Sequence, residues 1–126
     1  MAVDQPASLF DADFLAHQRT RLQDERRRRA AVAAALEAEI ADLSRGETPG
    51  LPIEAYGTSE TASIEMDRAR DQRSSAVARL VEIDAAFDRL RSGHYGRCER
   101  CGRSIERERL EAVPTATRCI TCQAHA

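Results

Sequence analysis

The stretch that decides the fold is CERCGRSIERERLEAVPTATRCITC, residues 98–122, which begins and ends with a Cys-x-x-Cys pair. The two pairs hold all four cysteines of the chain, and 17 residues separate Cys101 from Cys119. Four cysteines in this arrangement are compatible with two disulfides, with a redox-active dithiol, or with one metal site. Each possibility predicts a different kind of protein, so the rest of the sequence has to distinguish them.

The start of the chain bears on the redox compartment. MAVDQPASLF carries the acidic Asp4 and no apolar run of signal-peptide length, and nothing downstream approaches the roughly 20 apolar residues of a membrane span. The sequence therefore predicts a cytoplasmic protein, in which thiols stay reduced and disulfides are disfavoured. A thioredoxin-like dithiol requires a βαβ context that this tail is too short to supply, and it leaves the second pair unexplained.

The remaining possibility is a metal site. A tetrahedral zinc site needs four soft or borderline donors about 2.3 Å from the metal, and two Cys-x-x-Cys pairs separated by roughly 15–20 residues are a strong zinc signature. Four thiolates close the site and leave no position for a catalytic water, and no nucleophile–base pair is visible elsewhere, so we do not expect an enzyme. The predicted ligands of one structural zinc ion per chain are Cys98, Cys101, Cys119 and Cys122.

The composition upstream of the cysteines favours long helices. The 126 residues are 42% hydrophobic but only 4% aromatic, and 32% are charged. Such a chain cannot fill a broad core and suits helices packed along narrow seams. The net charge of −2 gives no reason to expect strong binding to nucleic acid. The arginine run 26–29 is flanked by acidic residues and is interpreted as a solvated helix face.

Residues 11–45 contain neither proline nor glycine, and their leucines recur at seven-residue spacing. This is the period of a helix that packs on another helix. The turn-rich stretch 46–59 cannot continue the helix, and a second helix is predicted over residues 60–91. The positions predicted to line the two seams are Leu15, Leu22, Val32, Ala33, Leu36, Ile40 and Leu43, with Arg29 at the missing step, and Met66, Ala69, Arg73, Ala76, Leu80, Ile83, Phe87 and Leu90.

Two seams of similar length joined by a short connection predict an antiparallel coiled-coil hairpin, and the protein is expected to be monomeric. An intermolecular coiled coil is the alternative. The predicted fold class is mainly α, with a long hairpin followed by a small four-cysteine zinc finger. The predicted domains are a flexible N-terminal lead-in (residues 1–10), the hairpin (11–92) with a tip segment near 46–60, and the finger (93–126).

The finger residues resemble those of a known family. GRCERCG at 96–102, Ile105, and RLEAVPTATRCITC at 109–122 are similar to the zinc-finger signature of the DksA/TraR family of bacterial transcription regulators. The preceding RLRSGHYGRC resembles that family's junction between the second helix and the finger. The close resemblance covers about residues 90–122, while the upstream hairpin agrees in architecture rather than in motif.

This resemblance implies a function. Family members insert a coiled-coil arm into the secondary channel of bacterial RNA polymerase, so that acidic residues at the tip approach the catalytic magnesium. The tip sequence here, GLPIEAYGTSETA, contains no aspartate. The residues that the resemblance places in tip contact with polymerase are Glu54, Glu60 and Ala62. A zinc-finger adaptor or nucleic-acid-binding module with a different partner is the alternative function.

Overall fold

The computed structural model describes residues 10–45 and 59–125. Its elements are α1 (Ala12–Arg45), α2 (Ser59–Ser92), α3 (Arg107–Ala112) and α4 (Ile120–Ala124). Within these described ranges there is no strand, and one isolated antiparallel bridge pairs Arg97 with Ser104. Two long helices followed by two short ones confirm the predicted fold class. No helix in the described part of the chain is both long and apolar enough to span a membrane.

Local chemistry fixes the ends of the long helices. Asp11 precedes α1, and its carboxylate accepts a hydrogen bond of 2.7 Å from the backbone N–H of Phe14, as an N-terminal capping residue does. After α2, Gly93 adopts a positive φ of 81°, and the backbone N–H groups of His94 and Tyr95 both donate to the carbonyl of Arg89. A glycine in the left-handed region is a common way to end a helix, because it carries no Cβ to strain.

The chain divides into two compact units, which are residues 1–26 with 81–126 and residues 27–80. In the first unit, an ion pair of 2.8 Å joins Arg26 of α1 to Asp84 of α2. Earlier on α1, Gln18 contacts Tyr95, which follows α2, so the two helices run in opposite directions within this unit. The buried core of the first unit consists of Phe14, Leu22, Ile83, Ala86, Tyr95, Cys98, Ile105, Leu110, Ala116 and Cys119.

The predicted lead-in touches this unit at its last residue. The ring of Phe10 lies 5.0 Å from that of Phe14, and a Cβ at Gly96 would come within 2.3 Å of the Phe10 ring. Gly96 also has a φ of +85°, so both its conformation and its close contact require glycine. Residues 1–9 lie outside the described part of the chain.

The second unit has a thinner core. Among its described residues the buried hydrophobic ones are Ala33, Leu36, Ala69 and Ala76, and three of these four offer only a methyl group. Arg73, which the sequence places in the seam, is half-buried and pairs with Glu37 of the facing helix at 3.1 Å. The long side chain of Arg73 thus places its guanidinium at the edge of the seam, where it pairs with the Glu37 carboxylate.

The predicted hydrophobic seam needs correction at one position of α1, Val32, and at none on α2. All eight predicted α2 positions are buried or half-buried. On α1, Leu15 is half-buried and packs against the core beside the buried Phe14, and Arg29, at the missing step of the leucine repeat, is exposed. Val32 is 45% exposed while its neighbour Ala33 is buried. The physical reason is that a straight helix drifts relative to a strict seven-residue repeat, so the contact stripe shifts by one residue along the helix.

Candidate metal centre

The four cysteines converge in the first unit. Their sulfur atoms all lie within 4.8 Å of one another, and the Sγ atoms of Cys101 and Cys119 are 3.9 Å apart. None of the four forms a disulfide. Cys98 and Cys119 are buried, Cys122 is half-buried and Cys101 is exposed. The folding of the tail therefore brings together the residues that the sequence singled out.

The first pair lies on a tight loop. The carbonyl of Cys98 accepts a hydrogen bond of 3.0 Å from the backbone N–H of Gly102, and the N–H of Cys98 donates to the carbonyl of Arg103 at 2.7 Å. Gly102 has a φ of +77°. This left-handed conformation favours glycine, and it lets the chain reverse directly after Cys101.

The second pair lies at the start of α4. Cys119 precedes the helix and Cys122 lies one turn into it, so both sulfurs project from the same end. The carbonyl of Cys119 accepts from the N–H of Gln123 at 2.9 Å. The N–H of Ile120 donates to the carboxylate of Glu106 at 3.1 Å, which satisfies a donor that the helix itself leaves unpaired.

Hydrogen bonds join the two cysteine loops. The N–H of Glu99 donates to the carbonyl of Thr117 at 2.8 Å. The Glu99 carboxylate accepts from Nε of Arg118 at 3.0 Å and from the hydroxyl of Thr117 at 3.3 Å. Nε of Arg109 donates to the carbonyl of Arg118 at 2.7 Å. These contacts fix the second loop relative to the first, and with it the distances among the sulfurs.

Hydrogen bonding and burial shift the pKa values of two of the thiols in opposite directions. Hydrogen bonding from the backbone N–H of Cys101 is the main cause that lowers the pKa of the Cys98 thiol to about 6. Burial, reinforced by the neighbouring thiols, raises the pKa of Cys122 to about 12. Backbone hydrogen bonds thus favour the thiolate form of Cys98, while burial and the neighbouring thiols disfavour the thiolate form of Cys122. A divalent cation overcomes these last two effects, because a coordinating thiol is deprotonated outright.

The donor set fits zinc. Four ligands at about 2.3 Å in a tetrahedron are separated from each other by about 3.8 Å. The 3.9 Å between two of the sulfurs and the 4.8 Å limit on the whole set are close to that separation. Four thiolates are the ligand set of closed structural sites, in which no position remains for substrate or water.

A buried polar group links α1 to the finger. Gln18 has 0% of its surface exposed, and its Nε2 donates to the hydroxyl of Tyr95 at 3.0 Å and to the carbonyl of Leu110 at 2.9 Å. The Tyr95 hydroxyl donates to the carbonyl of Pro114 at 2.7 Å. Burial raises the pKa of Tyr95, because the charged phenolate is disfavoured away from water. Sequence analysis missed Gln18, since nothing in a polar residue on a helix signals a partner so far along the chain.

Comparison with known proteins agrees with this geometry. Residues 93–125 match the model of the prokaryotic dksA/traR C4-type zinc finger. The whole fold is similar to the solved structure of transcription factor DksA2 from Pseudomonas aeruginosa, with a TM-score of 0.79 and 25% identity over 95% of this chain and 88% of that one. The finger of this chain is that of the DksA/TraR family. The family predicted from the finger residues is therefore confirmed.

Two curated relatives show how far the sequence similarity reaches. General stress protein 16O of Bacillus subtilis is 36% identical over 88 residues, which is 68% of this chain and 50% of that protein. RNA polymerase-binding transcription factor DksA of Caulobacter vibrioides is 42% identical over 66 residues, which is 51% of this chain and 46% of that protein. The chain spans about half the length of these relatives.

The tip residues expected from the DksA/TraR family are not all described. Glu60 is exposed in the first turn of α2, and Ala62 is half-buried two residues later. Both belong to the second compact unit, whereas the four cysteines belong to the first. Glu54 lies outside the described residues, as does most of the predicted tip segment.

Proposed function

We propose that the protein is a regulator of bacterial transcription that binds RNA polymerase and catalyses no reaction of its own. The observation that carries the proposal is the combination, in one chain, of a long helical pair and a four-cysteine finger that match the same family. A relative from Caulobacter vibrioides is named as an RNA polymerase-binding transcription factor. We place the protein in the cytoplasm, where such a partner is found.

The finger holds one zinc ion through Cys98, Cys101, Cys119 and Cys122 in this proposal. Bound zinc supplies no chemistry to a substrate here and acts as a cross-link between the two cysteine loops. Support comes from the convergence of the sulfurs within 4.8 Å and from the match of residues 93–125 to a C4-type zinc finger. In a closed site the free energy of metal binding is largely free energy of folding.

The hairpin enters the secondary channel of the polymerase with its tip segment leading, so that Glu54, Glu60 and Ala62 approach the active site. Glu60 is exposed and near the N-terminus of α2, where a carboxylate is favoured by the helix dipole. An exposed carboxylate is also able to perturb a metal-centred active site. We expect binding to depend on the helical surfaces and the effect on initiation to depend on the tip.

The test is competition for core polymerase. Purified protein is titrated against a labelled Gre-type cleavage factor, and displacement of the label measures occupancy of the secondary channel. The lifetime of promoter complexes is then compared for Glu60→Ala and for the matched control Glu65→Ala, which removes an exposed carboxylate further along α2. We expect both variants to bind within a few fold of the parent, and only Glu60→Ala to lose the effect on lifetime.

Failure to displace the Gre-type factor would remove the polymerase from the proposal and favour a zinc-finger adaptor with another partner. A nucleic-acid module is the less favoured alternative. Arg26 of the arginine run pairs with Asp84, and Arg27 and Arg29 also have partners. These contacts support a solvated, internally paired helix face, and a steep salt dependence of DNA or RNA affinity would contradict it.

A further inference from the structure

Both polar atoms of the Gln18 side chain, Nε2 and Oε1, form hydrogen bonds with other residues. Both donor positions of its side-chain amide are used, by the Tyr95 hydroxyl and the Leu110 carbonyl, and its Oε1 accepts from Nη1 of Arg21 at 3.1 Å. Tyr95 in turn gives its only proton to the Pro114 carbonyl. Each N–H of the Gln18 amide and the O–H of Tyr95 therefore has one acceptor, and the fold fixes the position of that acceptor.

The Leu110 and Pro114 carbonyls, which accept the hydrogen bonds from Gln18 and Tyr95, belong to one segment. Leu110 and Pro114 lie between the two cysteine pairs, while Gln18 lies on α1, 92 residues before Leu110. The two carbonyls can accept these hydrogen bonds only while the segment that contains them stays in place. Here the position of the segment is set by the cysteine loops at its two ends and by the bond from the Glu99 N–H to the Thr117 carbonyl.

The surroundings make these partners necessary. Gln18 is fully buried, and it lies on α1 between two members of the apolar core, Phe14 and Leu22. A buried donor that loses its acceptor is left without water to replace it, which is costlier than never having made the bond. If the segment between the cysteine pairs moves, the amide of Gln18 and the hydroxyl of Tyr95 must move toward water or stay unpaired.

We propose that Gln18 and Tyr95 couple the start of α1 to the metal occupancy of the finger. The inference rests on the proposed zinc site. With metal bound, the Leu110 and Pro114 carbonyls are in place and hold residues 12–22 of α1 against the finger. Without metal the two carbonyls are released, and this part of α1 loosens. Coupling of this kind is reciprocal, so the contacts that hold α1 also strengthen metal binding by the same factor.

The first test measures zinc affinity by competition with a chromophoric chelator. Gln18→Met keeps the length and apolar bulk of the side chain and removes both donors. Couplings between sites are commonly ~5- to 150-fold, and we expect Gln18→Met to weaken zinc binding about tenfold. Tyr95→Phe, which removes only the hydroxyl, is expected to act in the same direction. The control Arg26→Gln breaks another contact of α1, one made to α2 rather than to the finger, and should stay within about twofold of the parent.

The second test is hydrogen exchange of residues 12–22 before and after chelation of zinc from the parent protein. We expect their protection to fall on chelation. Unchanged zinc affinity in both Gln18→Met and Tyr95→Phe would overturn the coupling, as would full protection of α1 after chelation. If Gln18→Met does not fold, Tyr95→Phe carries the same prediction. Failure of the parent to take up zinc would remove the metal site and the coupling together, whereas the polymerase competition tests the partner independently.

Discussion

Truncation of Ile83 tests the packing that joins the long helices to the finger. Ile83 is 0% exposed and belongs to the core cluster that also contains Leu22, Tyr95 and Cys98. Ile83→Ala removes three carbon atoms, and at about 0.8 kcal/mol for each buried carbon the transfer contribution is about 2.4 kcal/mol. A cavity in a core that relaxes only in part raises the expected loss to about 3–4 kcal/mol.

The assay is urea unfolding followed by helical circular dichroism, with zinc present at a fixed concentration. The matched control is Val81→Ala, which truncates another β-branched side chain of α2 at a position that is 64% exposed, and it should change the stability by about 0.5 kcal/mol or less. A loss below about 1 kcal/mol for Ile83→Ala would refute the packing described for the first unit. Equal losses for the two variants would show that the burial of Ile83 adds nothing to stability, since helix propensity alone favours alanine over either β-branched residue.

Three further predictions follow from the same geometry. Cys119→Ser should abolish stoichiometric zinc uptake, measured by elemental analysis, and remove hydrogen-exchange protection from the finger, because three thiolates leave the closed site incomplete. Burial raises the pKa of Tyr95 above its ordinary value of 10.0. The stability that the neutral phenol contributes is therefore present below pH 10.0 and is lost as the pH rises through the pKa of the folded protein. Tyr95→Phe should accordingly flatten the alkaline part of the curve of unfolding free energy against pH. Leu36→Ala should lower the free energy of unfolding by about 2–3 kcal/mol, because the Leu36 side chain is buried. Since Leu36 is buried within a single chain, light scattering on dilution should show a monomer. A dimer mass that persists at low concentration would contradict this.

Periodicity in the sequence was sufficient to predict the α2 seam, because the buried and half-buried positions of a regular helix recur at a fixed interval. The spacing of the cysteines was sufficient to predict their convergence, since a Cys-x-x-Cys turn and a one-turn helix offset both hold sulfurs close. Gly93, at the predicted end of α2, does adopt the positive φ that terminates a helix. In all three cases the determining interactions are local or repeat at a fixed interval.

The features that the sequence did not predict involve groups that lie far apart in the chain. The burial of Gln18 is possible because the Tyr95 hydroxyl and the Leu110 carbonyl, both far along the chain, accept its hydrogen bonds, and no periodic pattern records such a contact. Phe14 is buried beside Leu15, and its ring lies 5.0 Å from that of Phe10 and 4.3 Å from the guanidinium of Arg107. A cation over an aromatic face is attracted by the ring quadrupole, which hydrophobicity alone does not register.

The position of Tyr95 also makes the protein its own optical probe. The chain has no tryptophan and only two tyrosines, Tyr56 and Tyr95, so Tyr56→Phe leaves a single ultraviolet fluorophore. That fluorophore is buried and hydrogen-bonded to the segment between the cysteine pairs. Its emission therefore responds to closure of the finger without any attached dye, and stopped-flow mixing with zinc or a chelator can follow the finger closing and opening in real time.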